Sequence, residues 1–240
     1  MGFASDYISG RVNFPELIRE APDPETGLIV VVPAYNEPGV PDLLTSLASC
    51  TVPRCIVELI IVVNCPDNAS QESITNKRKT IADISDWKKE HSGCFLRIHT
   101  IDTSSLGAYG WNVGTARKAG MDEAVRRFDA IDNKDGIIVN LDADCTVETN
   151  YLSTIYSEFT GRVERSGCSI YFEHPLKGKA FSERHYSAII QYELHLRYYF
   201  QGLAFSGFPY VHHTVGSAIA VKVIPYIRSG GMNRRSAGEN

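Results

Sequence analysis

The sequence predicts an α/β fold built on a doubly wound, mostly parallel sheet with helices on both faces. Three observations predict it. Short apolar, β-branched runs recur at Leu28–Val32, Val57–Val63 and within Gly136–Asp144, the pattern of strands covered on both sides. Segments of helical spacing separate them, so strand and helix alternate through the first 145 residues. The 240 residues, 43% hydrophobic and 22% charged, suffice to bury a core as one domain without staples.

The elements follow in order. "EAPDPETG" is a loop, punctuated by Pro22, Pro24 and Gly27, and Leu28–Val32 is the first strand, ended by Pro33. A short helix over 41–50 has Pro41 in its first turn and Leu43, Leu44 and Leu47 on one face. Val57–Val63 is the second strand, and Asn68 or Ser70 is placed to cap a polar helix over 71–91. Phe95–Ile101 alternates as a third strand. The next helix repeats Val113, Ala116, Gly120, Ala124 and Phe128, and "GIIVNLDAD" is the fourth strand. Beyond residue 150 the reading is a strand in "GCSIYFEH", a long amphipathic helix over about 181–202, and an aromatic stretch that turns strand-like in "AIAVKVI". Residues 1–240 are read as a single domain whose pattern changes near residue 150.

Bulk properties exclude several classes. A net charge of -4 and a pI of about 6.0 argue against a broad nucleic-acid surface. The six cysteines contain no C-x-x-C pair, so no zinc site is read from them. With no signal-peptide pattern at the start, they are read as reduced thiols of a cytoplasmic protein. No apolar run reaches the length of a membrane span, which leaves room for peripheral membrane contact.

Function enters through placement. Ligands of open parallel sheets bind outside the carboxyl ends of the strands. "PAYNE", "NCPDNAS" and "DADC" all fall there. Asp142 and Asp144, two residues apart, share a side if the strand continues through them, and their oxygens suit a hard divalent cation such as Mg²⁺ or Mn²⁺. The plain alternative is a pair of loop carboxylates, since D-x-D is a common tripeptide. Asn112 and Arg117 open a helix, where an N-terminus and a cation suit a diphosphate. Arg117 on a solvated helix face is the plain alternative there.

The segments "VVVPAYNEP", "LIIVVNC", "NVGTARKAG", "NLDADC" and "VGSAIAVKVIPYIRSGGMN", closing with "AGEN", occur in that order. Together they resemble glycosyltransferase family 2, of GT-A fold, over residues 27–240. The resemblance implies that Pro33, Ala34, Tyr35 and Glu37 line the base and ribose of a nucleotide. Asn64 stands where the family carries an Asp that reads uracil, and Asp67 is near enough in sequence to replace that charge. Asp142 is implied as a ribose or sugar contact and Asp144 as the ligand of Mn²⁺ or Mg²⁺. It also implies that residues 27–150 form a nucleotide-binding half and 151–240 an acceptor-side half, with Gly216 and Ser217 bordering the donor sugar, and the turn at Gly230 and Gly231 is expected to approach a ligand closely. The family ends this region with Glu-Asp, the Asp being the general base. This chain has Glu239-Asn240, and an amide does not take that proton at neutral pH. Either Glu239 is the base, or a nearby carboxylate is, or the chain is not a competent transferase. The family continues with a helix, so the resemblance also implies a shortened chain.

The expected function is therefore an inverting, metal-dependent transfer of a sugar from a UDP- or GDP-linked donor to a hydroxyl of a glycan, lipid or small molecule. The alternative is a non-catalytic nucleotide-sugar-binding protein of the same fold. A nucleotidyltransferase would need a basic loop after the first strand, and "PAYNEPG" has no Lys or Arg.

Overall fold

The computed structural model describes residues 2–107, 109–161, 165–212 and 216–233. Glu239 and Asn240 lie outside the described residues. The first four strands, β1 (Thr26–Ala34), β2 (Ile56–Val63), β3 (Leu96–Asp102) and β4 (Ile137–Asn140), are mutually parallel. β6 (Ile219–Lys222) pairs antiparallel with β4, and β5 (Gly167–Ser169) antiparallel with β6. The sheet order is β3-β2-β1-β4-β6-β5. The doubly wound, mostly parallel sheet read from the sequence is the observed architecture.

Pro33 does not end β1. It pairs in register with Val62, one residue before the strand stops at Ala34. The hydrogen bonds show why a proline is tolerated. Val31 O accepts from Leu141 N on the β4 side, and Ala34 O accepts from Asn64 N on the β2 side. By alternation, the Pro33 nitrogen faces β4, whose pairing with β1 ends at Val31 and Asn140. No ladder donor is lost there.

Strand alternation sorts the core into two layers. Leu28, Val30 and Val32 of β1, with Leu59 and Ile61 of β2, face α2 (Val40–Ala48), α3 (Gln71–Glu90) and α5 (Tyr151–Thr160). Ile29, Val31, Ile60 and Val62 face α1 (Ser5–Arg11), α4 (Val113–Ala130) and α7 (Val223–Arg228). The caps are local. Ser70 Oγ accepts from Ser73 N at the start of α3, and Asn112 Oδ1 accepts from Thr115 N at the start of α4.

The helix α4 departs from an amphipathic stripe. It is buried on nearly every side, Arg117, Lys118, Asp122, Glu123 and Arg127 included, while Val113 at its start is exposed. The N-terminal segment covers its outer face. Glu123 accepts from the backbone N–H groups of Leu17 and Ile18, and Arg126 donates to the carbonyls of Phe14 and Pro15. The charges on α4 are paired inside. Arg127 meets Glu58 of β2, and Lys118 Nζ is 2.9 Å from Asp122. Buried charges are tolerated when paired and hydrogen-bonded.

The second half is thinner than the sequence reading. β5 covers only Gly167–Ser169 of the expected "GCSIYFEH" strand. Ile170 N adds one bond to Ala218 O, and then the partner strand runs out. The chain peels away instead onto α6 (Glu183–Phe205), where Glu193 accepts from the backbone N–H of His174. No helix among the described residues is long and apolar enough to cross a membrane.

Candidate functional site

The loops after β1 and β4 meet at the carboxyl edge of the sheet. Gly39, at the N-cap of α2, approaches the Ala143 carbonyl. β4 stops at Asn140, so Asp142 and Asp144 sit in the turn beyond it rather than on a strand. Leu141 and Ala143 still alternate into the core beyond the end of the strand, and the two aspartates between and after them turn outward by different amounts. Asp142 is half-buried, and its Oδ1 lies 2.7 Å from Arg117 Nη2. Asp144 is exposed and takes a contact from its neighbour's thiol, Cys145 Sγ, at 3.6 Å.

Glu37 joins this pair electrostatically. Its carboxyl is pushed above the usual carboxylate range, first by partial burial and then by the charges of Asp144 and Asp142. The same two anions add to burial in pushing the Cys145 thiol up to about 12. Glu37 in the loop after β1 and Asp142 and Asp144 in the turn after β4 thus place carboxylates on the same edge of the sheet. Asp142 and Asp144 offer hard oxygen donors of the kind that Mn²⁺ or Mg²⁺ takes. No group of three His, Cys, Asp or Glu among the described residues is preassembled as a metal cage.

The remaining sequence candidates fall in distinct places. Pro33 and Ala34 are buried at the end of β1, and the Ala34 carbonyl is occupied by Asn64 N at 2.9 Å. Asn64 is itself buried directly after β2. Tyr35 is exposed at its ring and its hydroxyl reaches Ser73 Oγ at 3.3 Å. Asn36 adopts a positive φ of 54° and donates to the same Ser73 oxygen, which ties the β1 loop to the first turn of α3. Asn112 spends its carbonyl oxygen on the α4 cap and its amide on Gly110 O. Arg117 is buried and turned onto Asp142, not onto a solvated helix face.

Gly216 and Ser217 lead into β6. Because β6 runs antiparallel to β4 with Ile219 opposite Asn140, its start lies at the carboxyl end of β4, toward the Asp142 turn. Gly230 and Gly231 follow α7 with φ of 89° and 81°. Gly231 packs so closely on Tyr7 that a Cβ would stand 1.9 Å from its hydroxyl. They lie on the α4 face of the molecule with Tyr7, Tyr226 and Asp122.

Sequence reasoning missed two polar clusters. Lys77 of α3 is buried between Asp102, at 2.7 Å, and the Thr103 and Ser104 hydroxyls beyond β3. Burial works to raise the Asp102 carboxyl, but Lys77 and Ser104 outweigh it and hold it below the usual range. The second cluster has Asp122 at its centre. It accepts from Tyr7 and Tyr226 hydroxyls at 2.7 and 3.0 Å, and Tyr226 in turn accepts from Met232 N. A helical stripe read for apolar residues passes over charges buried on the same helix. Lys118 and Asp122 at i,i+4 were the available signal.

No protein-family profile matches the chain, and no curated protein does. Solved structures do. Residues 1–349 of S. aureus TarS superpose with a TM-score of 0.52 at 13% identity, covering 89% of this chain and 52% of that one. The mannosyltransferase PcManGT from Pyrobaculum calidifontis, in complex with GDP-Man and Mn²⁺, gives 0.50 at 17% identity, covering 98% and 55%. The fold is that of GT-A-like glycosyltransferases. The chain spans about half the length of each of these two structures.

Proposed function

We propose that the chain is an inverting, metal-dependent glycosyltransferase of family 2 type that uses a nucleotide-diphosphate sugar. One observation carries the reading. Asp142, held 2.7 Å from Arg117, and the exposed Asp144 stand in the turn at the carboxyl end of β4, the place where an open parallel sheet takes its ligand. The likeness in fold to a mannosyltransferase bound to GDP-Man and Mn²⁺ supports it.

In this reading the exposed Asp144 carboxylate would hold Mn²⁺ or Mg²⁺, and the ion would supply charge neutralisation for the departing diphosphate. Asp142, fixed by Arg117, orients the ribose or sugar. Tyr35, Glu37 and Asn64 form the base and ribose side, with Pro33 and Ala34 shaping its floor. Gly216 and Ser217 border the donor sugar, and the turn at Gly230 and Gly231 leads the chain on toward Glu239. The acceptor oxygen bonds to the anomeric carbon as the bond from that carbon to the diphosphate oxygen breaks, and Glu239 takes the hydroxyl proton.

The test is calorimetry of UDP and GDP, with and without Mn²⁺, on the wild type and on Asp144→Ala. The variant should lose the Mn²⁺-dependent part of nucleotide binding. Unchanged affinity with Mn²⁺ present would remove the site assignment. Asn240, at the position of the family's base, favours a second reading as a nucleotide-sugar-binding protein without turnover. Donor binding without hydrolysis or transfer would select it.

A further inference from the structure

The arm formed by α6 and its flanks is built unlike the rest of the molecule. Among the described residues, α6 buries only Tyr186 and Glu193. It is held by the strip ahead of it. Glu193 binds His174 Nδ1 at 2.6 Å and Arg197 at 2.9 Å, Arg197 donates to the Phe172 carbonyl, and its guanidinium stacks 4.9 Å from the Tyr171 ring centre. Beyond this anchor the helix ends in a stretch, residues 198–211, that has no Asp, Glu, Lys or Arg and contains six aromatic residues. Five of them are exposed: Phe205 at 96%, Tyr198 at 81%, and Tyr199, Phe208 and Tyr210 beside them.

Charge adds a second, separate observation. The chain is acidic overall, at -4. Residues 174–213 reverse that sign, with Lys177, Lys179, Arg184 and Arg197 against Glu183 and Glu193. Glu193 is consumed in the anchor, so the exposed charge near the start of α6 is Lys177, Lys179 and Arg184 beside Glu183. Exposed phenylalanine rings insert at the headgroup boundary of a bilayer and a tyrosine keeps its hydroxyl on the wet side, while lysines at the other end of a helix lying along the surface are drawn to anionic headgroups.

We propose that this arm docks on an anionic lipid surface, with Phe205, Phe208 and Tyr210 entering the headgroup layer and Lys177 and Lys179 meeting its charge. The contact lies on the membrane and does not cross it, since no described helix is a span. It stands independently of the catalytic reading, because it is measured without donor or turnover.

The experiment is co-sedimentation of the 1–240 chain with vesicles of phosphatidylcholine alone and of phosphatidylcholine mixed with phosphatidylglycerol. The wild type should pellet with the mixed vesicles only. Phe205→Ser combined with Phe208→Ser should lower that binding by about ten-fold, and Lys177→Glu combined with Lys179→Glu should lower it as well. All four sites are exposed, so the fold should survive, which circular dichroism checks. A Phe205→Trp variant should shift its emission to the blue on mixed vesicles, against the two buried native tryptophans, Trp87 and Trp111. Absence of wild-type binding, equal binding to neutral vesicles, or an unaffected serine variant would overturn the proposal. So would light scattering that shows a dimer dissolved by the serine substitutions, which would give the surface to a second copy of the chain.

Discussion

Arg117 Nη2 lies 2.7 Å from Asp142 Oδ1 and joins the buried helix α4 to the turn beyond β4. The pair fixes one aspartate of the D-x-D and leaves the other, Asp144, open to solvent. Because the guanidinium is buried while the carboxylate keeps about a third of its exposure, the two partners stand in unlike dielectric surroundings.

The first prediction concerns that coupling. Arg117→Met, Asp142→Ala and the double variant, compared by urea unfolding, should show an interaction energy of about 0.5–3 kcal/mol. Strict additivity would show that the pair does not hold the turn.

Glu37 supports a prediction with a definite sign. Its carboxyl titrates higher in the folded protein than in the unfolded chain, through burial and then Asp144 and Asp142. The native state thus holds this proton more tightly. Its contribution to stability is full below the unfolded carboxylate value and is lost as pH rises through the folded one. At neutral pH, Glu37→Gln should therefore raise the melting temperature, by less than about 1 kcal/mol equivalent because the group is partly exposed and screened. The gain should vanish near pH 4, below the ordinary Glu value of about 4.3. A melting temperature that falls at neutral pH would show that Glu37 stabilises rather than strains the site.

Asp122 gives the largest expected loss. It is fully buried, with Lys118 at 2.9 Å and two tyrosine hydroxyls on one oxygen. Asp122→Ala leaves the Lys118 ammonium buried without its carboxylate and should cost about 3–5 kcal/mol in denaturant unfolding. Lys118→Met combined with Asp122→Leu should recover much of that, since replacing both ions by apolar groups removes the desolvation cost. Equal losses in the single and double variants would place the effect in packing instead.

These cases show what was readable beforehand. The apolar runs at Leu28–Val32 and Leu59–Val63 pointed to strands covered on both faces, and the helical segments between them pointed to a parallel sheet. Caps were legible at Ser70, whose side-chain oxygen has one local job. The two ends of the sheet edge were less so. Pro33 reads as a stop until the end of its neighbour β4 is known, and β5 reads as a long strand until β6 proves too short to pair it. The buried charges of α4 were hidden because the segment that covers them, Phe14 to Ile18, comes from more than a hundred residues away. Of the site, the carboxyl-end position of Asp142 and Asp144 followed from strand order alone. The bond from Arg117 that distinguishes the two aspartates is a tertiary contact with no local signal.

Gly120 supplies the last prediction. It sits mid-way along α4, where glycine is a poor helix former by about 1 kcal/mol relative to alanine. Propensity alone would make Gly120→Ala stabilising. Packing opposes it, because a Cβ there would stand 2.4 Å from Val31 Cγ1 and 3.2 Å from Val62 Cγ2, both on the central strands and both fully buried. Overpacking of a filled core costs about 1–3 kcal/mol, so the net effect should be a loss of stability. The decisive comparison is with Val31→Ala in the same chain. That substitution removes the clashing methyl, so the double variant should be more stable than the sum of the two singles predicts, as measured by urea midpoints at equal m-value. Simple addition of the two losses would mean that α4 has moved off the sheet instead of meeting Val31, and the close approach of helix to strand would not be what Gly120 is there to permit.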